Sequence, residues 1–143
     1  MGSEAVVRIL LADDNREVRS ALRLLLEEAD GRRLGRPDAS DCEIAETSDA
    51  AGTLAELTRQ PADVVLLDWE LPGLPPGELL SKIKLLTPGC AVMAMSGRPE
   101  ARKHSLALGA DGFVSKNEPP DRLLELLNVA RSGLPGHLAD LGD

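Results

Sequence analysis

Val64-Val65-Leu66-Leu67-Asp68 decides the fold. Four consecutive apolar residues without alternation describe a strand covered on both faces, as a central strand of a parallel sheet is, and the run stops at a carboxylate. The same grammar repeats outward in both directions. Upstream, Val6-Val7-Arg8-Ile9-Leu10-Leu11 reads as a strand that ends at Ala12-Asp13-Asp14-Asn15. A helix starts there, with Val18, Leu22, Leu25 and Ala29 on one face at helical spacing. Residues 30–41, rich in Gly, Arg, Pro and Asp, form a loop on the edge away from the strand ends, leading to a brief strand around Cys42-Glu43-Ile44-Ala45. Ser48 or Asp49 then caps a helix to about Arg59, with Leu54 and Leu57 inward.

Downstream, Leu71-Pro72-Gly73-Leu74-Pro75-Pro76-Gly77 is a turn-rich loop. The helix after it, from about Glu78, turns Leu79, Leu80, Ile83 and Leu86 inward and stops at Thr87-Pro88-Gly89. Ala91-Val92-Met93-Ala94-Met95 is a fourth strand ending at Ser96. A weaker helix runs from Pro99 to about Leu108 and is closed by Gly109. The fifth strand, Gly112-Phe113-Val114, delivers Lys116, and Pro119-Pro120 opens a last helix with Leu123, Leu124, Leu127 and Ala130 inward.

Strands alternating with helices give an α/β, doubly wound, five-stranded parallel sheet of flavodoxin-like order 2-1-3-4-5. The 143 residues fit one domain. Residues 1–5 read as a cloning remnant or disordered start, 6–131 as the domain, and 132–143 as a tail or truncated linker. Hydrophobic residues at 43% and charged ones at 28% are a globular composition. Trp69 and Phe113 are the only aromatics besides histidine, which argues against base-stacking surfaces, and a net charge of −8 repels phosphate backbones. No direct nucleic-acid binding is expected. No apolar run approaches the roughly 18 residues of a membrane helix, so the chain is expected to be soluble and cytoplasmic, with no membrane partner. Cys42 and Cys90 fall on the second and fourth strands, about 14 Å apart by strand spacing, too far for a disulfide. His104 and His137 lack ligand-spaced partners and read as surface residues.

In a doubly wound sheet the residues just past the strand ends gather on one edge. Here these are Asp13 and Asp14, Asp68, Ser96 and Lys116. Strands one and three are neighbours about 4.8 Å apart, so three carboxylates crowd one crevice. Like charges about 4 Å apart repel by roughly 4 kcal/mol at an effective dielectric of 20, and a hard divalent cation such as Mg²⁺ is their natural counter-charge. Lys116 and Ser96 then suit a phosphoryl group, which a carboxylate can accept as an aspartyl phosphate.

The chain resembles the receiver domain of bacterial two-component response regulators, the CheY-like fold, over about residues 6–131. The resemblance rests on an ordered set of motifs: Leu10-Leu11-Ala12-Asp13-Asp14-Asn15, Leu66-Leu67-Asp68, Leu71-Pro72-Gly73, Met95-Ser96-Gly97 and Gly109-Ala110-Asp111-Gly112-Phe113-Val114-Ser115-Lys116. Its wording is similar to receivers that carry a helix-turn-helix transcription domain. The resemblance implies a signalling switch rather than an ordinary enzyme: Asp68 as phosphoacceptor, fed by a sensor histidine kinase or phosphotransfer protein. It implies Mg²⁺ held by Asp14 and Asp68, with Asp13 nearby or through water and the Glu70 backbone carbonyl. Lys116 and Ser96 are implied in catalysis, and Ser96 with Phe113 in switching. The output partner is implied on the face of the fourth helix, fifth strand and fifth helix, and a homodimer is left open. Glu70 and Arg98 flank the site mouth, where their opposite charges are expected to pair.

One departure stands out. Asn117 follows Lys116 where this family usually has a cis proline, and a cis non-proline bond costs about 3 kcal/mol or more, so the lysine loop is expected to differ. Two rival readings remain. One is a phosphorylation-independent pseudo-receiver interaction module. The other is a phosphatase of the haloacid-dehalogenase kind, which wants an Asp where Glu70 stands.

Overall fold

The structure is a computed structural model that describes residues 7–33 and 42–119 together with Arg122, Leu123 and Glu125. Its elements are β1 (Val7–Ala12), α1 (Arg16–Arg33), β2 (Cys42–Thr47), α2 (Ala50–Arg59), β3 (Val64–Asp68), α3 (Pro76–Leu86), β4 (Ala91–Ser96), α4 (Glu100–Ala107) and β5 (Gly112–Ser115). All strand pairs are parallel, in the order β2-β1-β3-β4-β5. The expected sheet is therefore the observed one. Leu123 is buried and helical with Arg122 and Glu125, but Leu124, Leu127, Ala130, His137, both termini and residues 34–41 lie outside the described residues.

The apolar run of β3 is buried throughout and divides its side chains between two cores. Val65 and Leu67 join Leu10, Ala12, Leu79, Leu80, Ile83, Val92, Ala94 and Phe113 on one face of the sheet. Val64 and Leu66 join Val7, Ile9, Leu11, Leu26, Met93 and Val114 on the other. Parallel crossovers put helices on both faces, which is why β3 carries no polar alternation.

The caps explain the helix starts nearest the site. Asn15 Oδ1 accepts from the Glu17 and Val18 N–H groups at 2.8 and 3.2 Å, so Asn15, not the aspartates, caps α1. Asp49 Oδ1 accepts from Gly52 N at 2.7 Å and caps α2, resolving the choice between Ser48 and Asp49. Pro76 opens α3 two residues before Glu78, in the first-turn position where a missing N–H costs nothing.

Three expectations need correction. Leu26, absent from the expected α1 stripe, is fully buried, while Leu22 and Leu25 of that stripe are half-buried and pack against the same core, and Val18 is half-buried. Arg19 and Arg23 both reach Glu46 of β2, and these ion pairs occupy the flank that a wider apolar stripe would need. The α1 helix also runs through 30–33, expected to be loop; its i to i+4 ladder tolerates Gly31 at a cost of about 1 kcal/mol. Leu86 is 45% exposed as the last residue of α3, beside the still more exposed Leu85, whereas Leu79, Leu80 and Ile83 carry the burial. Cys90 is a buried free thiol whose pKa is pushed up to about 12, chiefly by burial, so it is inert.

Candidate functional site

The C-terminal ends of the four strands β1, β3, β4 and β5 bring the expected polar residues together. Asp13 follows β1 and is fully buried, its N–H donating to Thr47 O at 3.1 Å. Its carboxylate Oδ1 accepts the Asn15 N–H at 2.8 Å, and Arg19 donates to its carbonyl at 2.7 Å. Asp14, the next residue, is exposed. Asp68 closes β3, is 3% exposed, and accepts the Glu70 N–H on Oδ1 at 2.9 Å. Carboxylate oxygens of Asp13, Asp14 and Asp68 all lie within 4.8 Å of one another.

Lys116 enters from the β5 end, its backbone N–H donating to Ser96 O at 2.9 Å. Its Nζ stands 2.8 Å from Asp13 Oδ2 and 3.5 Å from Asp68 Oδ1. Asp13 Oδ2 is buried, and the Lys116 ammonium at ion-pair distance is its one partner among the described residues. A buried carboxylate oxygen short of a donor has spare capacity for a cation. The three carboxylates of Asp13, Asp14 and Asp68 supply hard oxygen donors that fit Mg²⁺ by chemistry and by crowding.

The electrostatics agree. Burial, helped by the charges of Asp13 and Glu70, raises the Asp68 pKa above the ordinary carboxylate range, against the lowering effects of the Glu70 N–H and Lys116. Burial works against the Lys116 charge, yet its contact with Asp13 and the charge of Asp68 outweigh it and raise its pKa.

A raised folded-state pKa means that the folded protein binds the Asp68 proton more readily than the unfolded chain does. Ionised Asp68 therefore lowers stability at neutral pH, and stability returns as pH falls through the raised value toward the ordinary one. Asp68→Asn is expected to stabilise the metal-free protein at pH 7 by on the order of 1 kcal/mol. The gain should shrink toward zero on acidification. Urea unfolding in EDTA across pH checks this, and a variant less stable than wild type at pH 7 contradicts it.

Ser96 is fully buried at the end of β4, and its hydroxyl is engaged by Glu70 and Arg98. It donates to the Glu70 carboxylate, 3.0 and 2.9 Å from the two oxygens, and accepts the Arg98 N–H at 3.0 Å. The expected Glu70–Arg98 ion pair is thus replaced by a Glu70–Ser96 bond, because a buried hydroxyl gains more from a carboxylate partner than an exposed guanidinium does. Phe113 is 6% exposed within the core that contains Ala94, Ala101 and Trp69.

The lysine loop is built around Asn117. No peptide bond is cis among the described residues. Asn117 donates its backbone N–H to Ser115 Oγ at 3.1 Å, a bond proline could not make, and its side-chain amide to Gly97 O at 3.2 Å. It thereby ties the segment after Ser96 to the one after Lys116.

Sequence reading missed Arg19, Glu46 and the Trp69–His104 contact. The arginine-glutamate pairing had no local signal, since the partners come from α1 and β2. Hydrogen bonds from Arg23 and then Arg19 hold the Glu46 pKa below the usual carboxylate range.

Comparison with known proteins closes the question of family. The model of the response regulator receiver domain matches residues 9–128. The nitrate/nitrite response regulator protein NarL of Escherichia coli (strain K12) is 31% identical over 135 residues, which is 93% of this chain and 58% of that protein. The chain spans a little over half the length of the curated relatives it matches. A response regulator receiver domain protein from Clostridium thermocellum superposes with a TM-score of 0.72 at 25% identity, covering 90% of this chain and 98% of that one. A LuxR-family two-component response regulator from Aurantimonas sp. SI85-9A1 shares the fold, with a TM-score of 0.75 at 21% identity over 94% and 96% of the two chains. With its strand order, acidic pocket and family match in agreement, the chain belongs to the response regulator receiver domains, signalling modules rather than ordinary enzymes.

Proposed function

We propose that this chain is a phosphoacceptor switch in which Asp68 takes a phosphoryl group from a sensor histidine kinase or a phosphotransfer protein. One observation carries the reading: a buried Asp68 lies 3.5 Å from the Lys116 ammonium, in a cluster of three carboxylates whose oxygens fall within 4.8 Å. A carboxylate oxygen of Asp68 attacks phosphorus, the phosphorus–nitrogen bond of the donor phosphohistidine breaks, and its electron pair stays on the imidazole. Water later attacks phosphorus, releasing inorganic phosphate and restoring the carboxylate.

Lys116 holds positive charge against the phosphoryl oxygens, so the chain contributes mainly positioning and electrostatics. The side chains of Asp14 and Asp68, with Asp13 and the Glu70 carbonyl, would hold Mg²⁺, which supplies further positive charge there. Glu70 and Arg98 stand at the mouth and limit access of water. Ser96 exchanges its Glu70 acceptor for a phosphoryl oxygen, and Phe113 follows it. That rearrangement biases the face of α4, β5 and the helix after it, where an output domain or protein docks. A switch of this kind works in the cytoplasm, without contacting nucleic acid or membrane itself; no helix among the described residues is long and apolar enough to cross a membrane.

Incubation with acetyl phosphate and Mg²⁺, followed by intact mass, tests the reading. One phosphoryl adduct is expected on wild type, none on Asp68→Asn, and none with EDTA. An unmodified wild type that still binds a partner would favour the pseudo-receiver reading, for which the non-proline Asn117 loop is the specific support.

A further inference from the structure

Helix α4 is lightly held. Its buried residues are the small Ala101 and Ser105, with Leu106 half-buried against the core, and Pro99 at its start makes no side-chain cap. A helix of eight residues with so little buried apolar area owes its position to a few specific contacts.

One such contact reaches the phosphoacceptor segment. Trp69 follows Asp68 directly, is 5% exposed, and is fixed to β4 by its N–H on Met95 O at 2.8 Å. Its indole Nε1–H donates to His104 Nδ1 on α4 at 3.0 Å, with the two rings edge to face and centroids 5.6 Å apart. For Nδ1 to accept, the neutral ring must carry its proton on Nε2. The pair walls one side of a cleft of about 500 Å³ that Glu70, Arg98 and Glu100 also line. The bond therefore runs from the residue next to Asp68 to the middle of α4, across the mouth of the site. His104 is a surface residue, as its sequence context suggests, but not a solitary one.

We infer that His104 is a positioning residue: by accepting the Trp69 indole N–H, it fastens α4 to the segment carrying Asp68 and holds that helix in its resting place. The link from this anchor to signalling rests on Asp68 being the phosphoacceptor. A buried indole N–H without its acceptor is unfavourable, so the resting arrangement weakens when the acceptor is removed.

Two variants separate the bond from the bulk. His104→Phe keeps a flat ring against Trp69 without an acceptor, and His104→Gln offers an amide oxygen in its place. Trp69 is the chain's single tryptophan, so its emission reads the contact directly. In His104→Phe, the Trp69 emission should shift and α4 amides should exchange about threefold to tenfold faster, the range of one ordinary hydrogen bond, while β3 amides stay as protected as before. His104→Gln should return both toward wild type. Beryllium fluoride with Mg²⁺, a phosphoryl mimic, should bind His104→Phe tighter by a similar factor. Unchanged α4 exchange in His104→Phe, or a Gln variant as loose as the Phe variant, overturns the anchor. Equal beryllium fluoride affinity in all three proteins overturns its role in holding the resting state. If the mimic binds none of them, the Asp68 reading fails instead, and exchange and emission still judge the anchor by themselves.

Discussion

Lys116→Met is expected to impair both the fold and the chemistry. Asp13 is fully buried and has the Lys116 ammonium 2.8 Å from one oxygen, so the variant leaves an uncompensated buried carboxylate beside two others. Breaking a buried pair in this way typically costs about 3–5 kcal/mol. Mg²⁺ should restore part of the loss, because a divalent cation takes over the missing counter-charge and binds only the folded state. On the proposed phosphoacceptor reading, the same substitution also removes the positive charge set against the phosphoryl oxygens, for which a fall of about 10²–10³ in the phosphorylation rate from acetyl phosphate is the usual scale. Urea unfolding with EDTA and with Mg²⁺, together with the time course of adduct formation by mass, measures both. A metal-free variant as stable as wild type would show that Asp13 is content without its lysine. An unchanged rate would remove Lys116 from the mechanism.

The second large effect belongs to the scaffold. Leu66 is fully buried at the centre of β3, opposite Leu11 on one side and Met93 on the other, in the core that includes Ile9 and Leu26. Leu66→Ala removes apolar contact and leaves a cavity that flanking strands cannot close without breaking register, so a loss of about 2–5 kcal/mol is expected. That is a large share of the roughly 5–15 kcal/mol by which domains are stable. The urea midpoint should fall with the slope unchanged. A loss below about 1 kcal/mol would mean that the sheet relaxes around the site, contrary to the close packing expected of a protein interior.

Much of the candidate site was legible because it depends on only one geometrical fact. When parallel strands all run one way, the residue after each strand arrives at the same edge whatever the details of packing. Asp13, Asp68, Ser96 and Lys116 could therefore be grouped before any contact was known. Asn117 was legible as a departure, but not its consequence, because its bond to Gly97 joins loops twenty residues apart in the chain.

The chain's own order of apolar and polar residues determined the alternation of strands and helices, the double burial of β3 and the convergence of the acidic residues with Lys116. These follow from periodicity and chain direction, which are local properties. Tertiary structure alone decided that Leu26 is fully buried in α1, and that Leu86 is partly exposed to solvent. It also decided that Glu70 holds Ser96 rather than Arg98, and that His104 receives Trp69. Each of these depends on how far a helix rolls against the sheet and which side chains then meet across it. Those choices balance many non-local contacts at once, and no single stretch of sequence contains that balance.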